Sequence, residues 1–296
     1  MNLKFYENTQ FLPEKKTIQV FSFLAIFFFI ASCNIINPAE PIPAYIHIDS
    51  ISLTTNQATQ GTNSAKIVDA WVYVDGDIIG AFELPVTIPV LKAGIHKITI
   101  LPGILIDGIS ASRTNYPFYN SFDTTISFES AHVQTILPKT IYPTSVQFEI
   151  EDFDQPGRNM VRTSGSDTDF VLVMNEHSFE GKSGAVYLDN AHPFFEAAWK
   201  DSFLLPVASP AYVELNYKSE NPFTVGLITY LNNTVYYDDI VNFRASQTWK
   251  KVYIFLGPVL SNGLNATGFK VYLKATKNFD LGTATLYFDN IKVVYR

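Results

Sequence analysis

The sequence predicts an all-β protein built of two β-sandwich domains. Three observations carry this. Apolar and polar residues alternate with period two through most of the chain after residue 44, as in Tyr45-Ile46-His47-Ile48-Asp49. Turn residues, such as Gly76, Gly94 and Pro102-Gly103, interrupt the alternation about every ten positions. Spacings of 3.6, which would mark helices, are nearly absent. The aromatic content of 15% fits, because aromatic and β-branched side chains suit a pleated, half-buried surface.

The elements follow in order. Ala70-Trp71-Val72-Tyr73-Val74 alternates and stops at Asp75-Gly76, which reads as a hairpin turn. Val86-Thr87-Ile88-Pro89-Val90 turns through Lys92-Ala93-Gly94 into His96-Lys97-Ile98-Thr99-Ile100. The prolines of 138–145 mark a joint, so the first domain spans 44–140 and the second 145–296. In the second, strands are expected at Val146–Phe153, Phe179–Leu188, Ala211–Lys218, Trp249–Leu256 and Ala284–Val293. Phe194–Lys200, with Trp199, reads as a loop or short helix plugging one end. His96 is expected to be an ordinary strand residue, since a lone histidine lacks the partners of a metal site.

The N-terminal stretch is different. Lys15 and Lys16 precede an apolar run from Ile18 to Ile30, too short for a comfortable transmembrane helix. It ends Ile30-Ala31-Ser32-Cys33, and Cys33 is the one cysteine in the chain. This tetrad resembles the lipobox of bacterial lipoproteins, and the chain looks like a Bacteroidetes-type exported lipoprotein. The resemblance implies that 1–32 is a signal peptide removed on export, that Cys33 is lipidated, and that 33–43 is a tether. It also implies a membrane partner through the acylated cysteine. The outer membrane is the expected location, with the periplasmic face favoured over the cell surface. No disulfide can form.

Val72-Tyr73-Val74-Asp75-Gly76, Leu84-Pro85-Val86 and Ala93-Gly94-Ile95-His96 resemble a PEGA-type Ig-like module. Tyr116-Pro117-Phe118-Tyr119 has no counterpart in that pattern. The second domain resembles the jelly rolls of carbohydrate-binding modules, the galactose-binding-like fold. The shared features are an acidic opening strand (Glu149, Glu151), Gly181-Lys182-Ser183-Gly184, Trp249-Lys250-Lys251 and a closing Asp289-Asn290-Ile291. That resemblance implies a structural calcium ion tying the first strand to the last through Glu151 and Asp289, since calcium takes oxygen ligands.

Composition excludes some functions. The net charge of −7 is wrong for nucleic acid, which demands clustered Lys and Arg. A cysteine nucleophile is excluded if Cys33 is the anchor, and no Gly-x-Ser-x-Gly or His-Glu-x-x-His occurs. Candidate acids for glycoside hydrolysis (Glu149, Glu151, Asp154, Glu196, Asp239) cannot be paired from sequence, and no enzymatic activity is expected. Strand parity suggests a binding face. Val213, Leu215, Val252, Ile254, Val271, Leu273, Leu286 and Phe288 should point inward. Glu214, Asn216, Lys251, Tyr253, Tyr272 and Tyr287 should then share the outer face, where rings beside hydrogen-bonding groups suit a sugar. The expected role is non-catalytic binding of a polysaccharide or the cell envelope. The alternatives are a structural or adhesive protein that binds other envelope proteins, and a hydrolase.

Overall fold

The computed structural model describes residues 40–296. The expected signal peptide, Cys33 and most of the expected tether lie outside the described residues. The chain divides into two compact units, Met1–Pro43 and Ala44–Arg296, and the second holds all of the β structure described below.

The first half of that unit contributes ten strands: β1 (Ala44–Ile48), β2 (Ser52–Thr54), β3 (Asp69–Val74), β4 (Asp77–Glu83), β5 (Val86–Val90), β6 (Gly94–Leu105), β7 (Arg113–Asn115), β8 (Phe122–Phe128), β9 (Val133–Ile136) and β10 (Lys139–Ile141). One sheet runs β4-β3-β6-β7, with β8 also on β6. It faces β5-β1-β9 across a core that includes Ile46, Ile48, Val72, Val74, Ile98 and Ile100. Inward residues alternate along each strand as the period-two pattern predicts. The Asp75-Gly76 turn has positive φ at both residues (55° and 90°), as a two-residue hairpin needs. Asp75 then joins the two motifs of this module. Its carboxylate meets Lys92 Nζ at 2.9 Å, His96 Nδ1 at 2.7 Å and the Lys97 N–H at 3.1 Å. Hydrogen bonds from Lys92 and His96 hold the Asp75 carboxyl well below the usual range. His96 is thus a strand residue that clamps a turn.

The second half contributes β11 (Gln147–Glu151), β12 (Met160–Arg162), β13 (Val171–Met174), β14 (Lys182–Leu188), β15 (Phe194–Trp199), β16 (Ala211–Ser219), β17 (Phe223–Leu231), β18 (Thr234–Phe243), β19 (Ser246–Phe255), β20 (Gly268–Thr276) and β21 (Ala284–Tyr295). Two helices of four residues, α1 (Gln57–Gln60) and α2 (Gly257–Leu260), are the α-helices among the described residues. One sheet is β13-β14-β21-β16-β19, with β11 on the far half of β21; the other is β12-β15-β20-β17-β18. From β14 to β17 the chain changes sheet at every strand, and again from β18 to β21, which gives the expected jelly-roll sandwich. Phe195, Val213, Leu215, Leu227, Ile254, Leu273, Leu286 and Phe288 fill the space between the sheets. Trp199 ends a strand, not a loop or helix. It is buried against Phe203, with ring centroids 6.0 Å apart.

The proline-marked joint is not a free linker. Lys139–Ile141 pairs in parallel with β2, and Tyr142 is buried among residues of both halves.

Candidate functional site

The bulge in β21 sets the chemistry of the first sheet. Glu214 pairs with Lys292, and Asn216, two residues on, pairs with Asp289, three residues back. β21 therefore carries one extra residue, and Asn290 absorbs it at φ 51°. Asp289 pins the bulge by accepting the Asn290 N–H (2.7 Å), the Glu180 N–H (3.1 Å) and the Ser183 hydroxyl (2.6 Å). Parity reverses there, so Ile291 and Val293 face the core and Lys292 turns outward. Cross-strand register lines up Phe255, Tyr212 and Val294 in one outer row, Tyr253, Glu214 and Lys292 in the next, then Lys251, Asn216 and Asp289.

Those three rows are covered by the first module. Tyr116 and Tyr142 each donate a hydroxyl to the Glu214 carboxylate, at 2.8 and 2.9 Å. The Tyr119 and Tyr253 hydroxyls meet at 3.0 Å, and the Lys66 N–H donates to Tyr253 at 2.9 Å. Residues 61–66 cross the sheet as a strap: Lys292 Nζ donates to the Thr62 carbonyl (2.7 Å), and Asn216 donates to Ser64 Oγ (3.1 Å). The Asp107 N–H donates to the Tyr253 carbonyl, which covers part of the β19 edge. The cluster sealed in this way is aromatic on both sides: Tyr116, Phe118, Tyr119 and Tyr142 from one module, Tyr212 and Tyr253 from the other. The segment Tyr116–Tyr119 that matched no part of the module pattern is thus the cover of this face.

The electrostatics follow from that burial. Glu214 is fully buried, which alone would raise its carboxyl. The ammonium groups of Lys251 (3.1 Å away) and Lys292, with the two tyrosine hydroxyls, outweigh burial and hold it below the ordinary range. Burial pushes Lys292 down to about 7 against the pull of Glu214. Desolvation, with Glu214 nearby, pushes the Tyr253 phenol up.

The six residues expected on one sugar-binding face therefore separate. Glu214, Asn216 and Tyr253 are buried interface residues, and Lys251 folds its ammonium onto Glu214 at the wall of a cavity it shares with Lys66 and Asp107. Tyr287 stays partly open beyond the cover, with Trp249 at 6.3 Å, His177 parallel at 6.1 Å and Lys218 over its ring at 5.5 Å. Tyr272 belongs to the other sheet, because β20 lies between β15 and β17.

Among the described residues, no segment of the first module covers the outer face of that other sheet. Tyr272 lies flat across Gly226, where a Cβ would sit 2.2 Å from its ring, and its hydroxyl donates to Asp239. Tyr272 is itself buried; desolvation and Asp239 push its phenol up. Tyr237 packs over it at 5.8 Å and is 58% exposed, so its ring is the accessible one. Lys274 pairs with Asp239 at 2.7 Å, Lys270 lies over Tyr230 at 5.9 Å, and Glu196 accepts from Thr163 at 2.9 Å.

Neither expected calcium ligand fits a shared ion. The Glu151 carboxylate accepts the N–H groups of Phe153, Asn159 and Met160, and Asp289 holds the bulge. Both carboxylates face donors, which offer a cation nothing. No cluster of three His, Cys, Asp or Glu side chains with metal-site geometry occurs among the described residues. The two candidate acids on the other sheet do not pair. Asp239 turns to Tyr272 and Lys274, Glu196 turns the other way to Thr163, and two strands separate them.

No family model matches the chain, and no curated protein matches it. Several solved structures resemble part of it. The CBM22–GH10 modules of a Clostridium thermocellum endo-1,4-β-D-xylanase, complexed with xylohexaose, are 12% identical at a TM-score of 0.40, over 50% of this chain and 28% of that one. A xylan-binding domain from CBM 22 is 14% identical at a TM-score of 0.37, over 51% and 96%. A family 30 carbohydrate-binding module of a Clostridium thermocellum cellulosomal cellulase is 14% identical at 0.38, over 49% and 96%.

Proposed function

We propose that this protein is a non-catalytic glycan-binding lipoprotein of the cell envelope, and that the chain of sugars lies across the outer face of β12-β15-β20-β17-β18. The observation that carries the reading is the asymmetry of the two sheets. One outer face is sealed by the first module; the other is open. The open face sets an exposed Tyr237 ring above a Tyr272 floor and surrounds it with Lys270, Lys274, Asp239 and Glu196. A flat ring takes the C–H face of a sugar, and charged groups beside it take the hydroxyls through hydrogen bonds stronger than neutral ones. The diverging carboxylates support a binding role over hydrolysis.

Affinity electrophoresis of the whole chain in plant, host and bacterial polysaccharides tests this. Tyr237→Ala should abolish retardation while leaving the melting curve in place. A second reading, adhesion to another envelope protein, has its own observation: Trp249, Tyr287, His177 and Phe179 form an aromatic group at the uncovered end of the first sheet. Loss of retardation in Trp249→Ala alone would move the glycan site there. Absence of any retardation would favour adhesion. Anchoring is tested separately: Cys33→Ser should abolish lipid labelling and release the protein from membranes.

A further inference from the structure

A cleft of about 290 Å³ opens beside β19, the edge strand of the first sheet, where the turn after β6 and the strap residue Lys66 meet it. The chain as a whole is acidic, at −7, yet three of its lysines and one carboxylate line this cleft. Lys251 is committed to Glu214 at 3.1 Å, and its ammonium has no open surface. Lys66 and Lys250 are exposed and form no ion pair among the described residues, so theirs are the charges a ligand meets. Tyr217 reaches the cleft from the sandwich core. It is 6% exposed, packs on Phe223 and Phe243 with ring centroids 4.9 and 5.3 Å away, and its hydroxyl has no hydrogen-bond partner among the described residues. That hydroxyl is not sealed, since it keeps accessible surface. Burial raises the phenol, so it stays protonated and donates. A poorly solvated donor without a partner gains most from an anionic acceptor, because such a bond is about twice as strong as a neutral one. The remaining walls narrow the occupant. Leu105 and Phe243 supply apolar surface for a ring. Asp107 gives one carboxylate oxygen to the Phe255 N–H (3.2 Å), and the other accepts hydroxyls while repelling a bare anion. The volume lies at the lower limit for ligand sites, about 300 Å³, which is room for one ring.

We infer that this cleft binds a hexuronate, a sugar ring bearing a carboxylate. The carboxylate meets the Tyr217 hydroxyl and the ammonium groups of Lys66 and Lys250, and the ring hydroxyls meet Asp107. This goes beyond the face-binding reading and does not rest on it: the cleft lies on the edge strand of one sheet and the open face belongs to the other. Each site can thus fail without the other.

The test is a calorimetric titration of the whole chain with glucuronate, galacturonate, their methyl glycosides, glucose, galactose and acetate. At least one hexuronate should bind, and more weakly as salt is raised. The neutral sugar of the same configuration should bind at least about tenfold more weakly, for want of the charged acceptor. Tyr217→Phe removes the hydroxyl alone. It should weaken hexuronate binding about tenfold, the worth of one hydrogen bond to a charged group, and leave the melting temperature in place, because the hydroxyl holds nothing within the protein. Lys250→Gln, on the exposed strand edge, should weaken binding about threefold and covers the case in which the Tyr217 variant misfolds. Lys97→Gln removes an equal charge near the opposite end of β6 and should leave binding unchanged. The inference is overturned if no hexuronate binds, if acetate or the neutral sugar binds as tightly, or if binding survives intact in both Tyr217→Phe and Lys250→Gln. Tighter binding of the free acid than of its methyl glycoside would make the ligand a free sugar acid, and equal or tighter binding of the glycoside would make it a residue of an acidic glycan; both support the inference.

Discussion

Replacing Glu214 with Gln tests the sealed interface most directly. The substitution keeps volume and an acceptor for the hydroxyls of Tyr116 and Tyr142 but removes the carboxylate that pairs with Lys251 and pulls most on Lys292, leaving Glu180 as the weaker attraction on Lys292. An ammonium ion left buried without its counter-ion destabilises by about 3–5 kcal/mol. For a folded unit of this size, about 2–4 °C of Tm goes with each kcal/mol, so the loss should be on the order of 10 °C. The pH dependence follows from Lys292. Its folded value is about 7 and its ordinary value 10.5, so between these the unfolded chain holds a proton that the folded one does not. Stability from this group therefore rises as pH climbs from about 7 towards 10 and is flat below. In Glu214→Gln the damage should be largest near pH 6, where both lysines are charged, and smaller near pH 9, where Lys292 is mostly neutral. Calorimetry at both pH values reads this directly. Adding Lys251→Met should restore part of the loss, because an uncharged, well-packed set replaces the orphaned ion. A Tm within about 2 °C of the parent at both pH values would refute the reasoning, since so small a shift corresponds to under about 1 kcal/mol.

Three further outcomes are expected. Tyr253→Ala should lower stability by about 3–5 kcal/mol, read as a fall in the urea midpoint, because the side chain is buried at the interface; an unchanged midpoint would return Tyr253 to the surface. Burial raises the Asp289 carboxyl to about 7, so between about 4 and 7 the folded chain holds a proton that the unfolded chain releases, and stability from this group falls as pH rises across that window. Asp289→Asn should remove that slope in melts taken from pH 4 to 7; a slope identical to the parent's would show that the carboxyl titrates normally. EDTA should leave the melting temperature where calcium-supplemented buffer puts it, because donors already occupy Glu151 and Asp289; a drop of several degrees would reinstate the ion.

Strand parity was legible because period two is a local property. The core positions Val213, Leu215, Val252, Ile254, Leu286 and Phe288 all point inward as the alternation required. Parity failed at Asp289-Asn290, where one extra residue reverses the count; Asp followed by Asn hints at a left-handed residue but does not locate a bulge. Sheet membership was not legible at all. Tyr272 and Tyr253 have the same local pattern, and only the strand order sends them to opposite sides of the sandwich. The cover was hidden for the same reason, because Tyr116 and Glu214 meet across 98 residues of sequence. One signal did exist: Tyr116-Pro117-Phe118-Tyr119 is rich in rings yet alternates with nothing, so its apolar surface had to be buried against another element.

The sealed network also explains why, among the described residues, the central rows of the first sheet are closed while the outer face of the other sheet is not. Both outer faces began with the same material, tyrosines interleaved with lysines and carboxylates on long strands. On the first sheet, two tyrosines from separate segments, one after β7 and one after β10, converge on a single carboxylate, while Lys292 holds the strap from beneath. Three independent pieces of the first module must then be in place at once, and any shift in their register leaves a buried charge unpaired. That is a demand for one orientation, which a purely apolar contact of the same area would not impose so strictly. With the module fixed there, Glu214 and Lys251 are consumed in holding two sandwiches together. The equivalent groups on the other sheet, Asp239 and Lys274, hold only each other and Tyr272, and their remaining hydrogen-bonding capacity faces solvent. Rings beside hydrogen-bonding charges are present on both sheets, and the packing of the first module decides which set stays accessible.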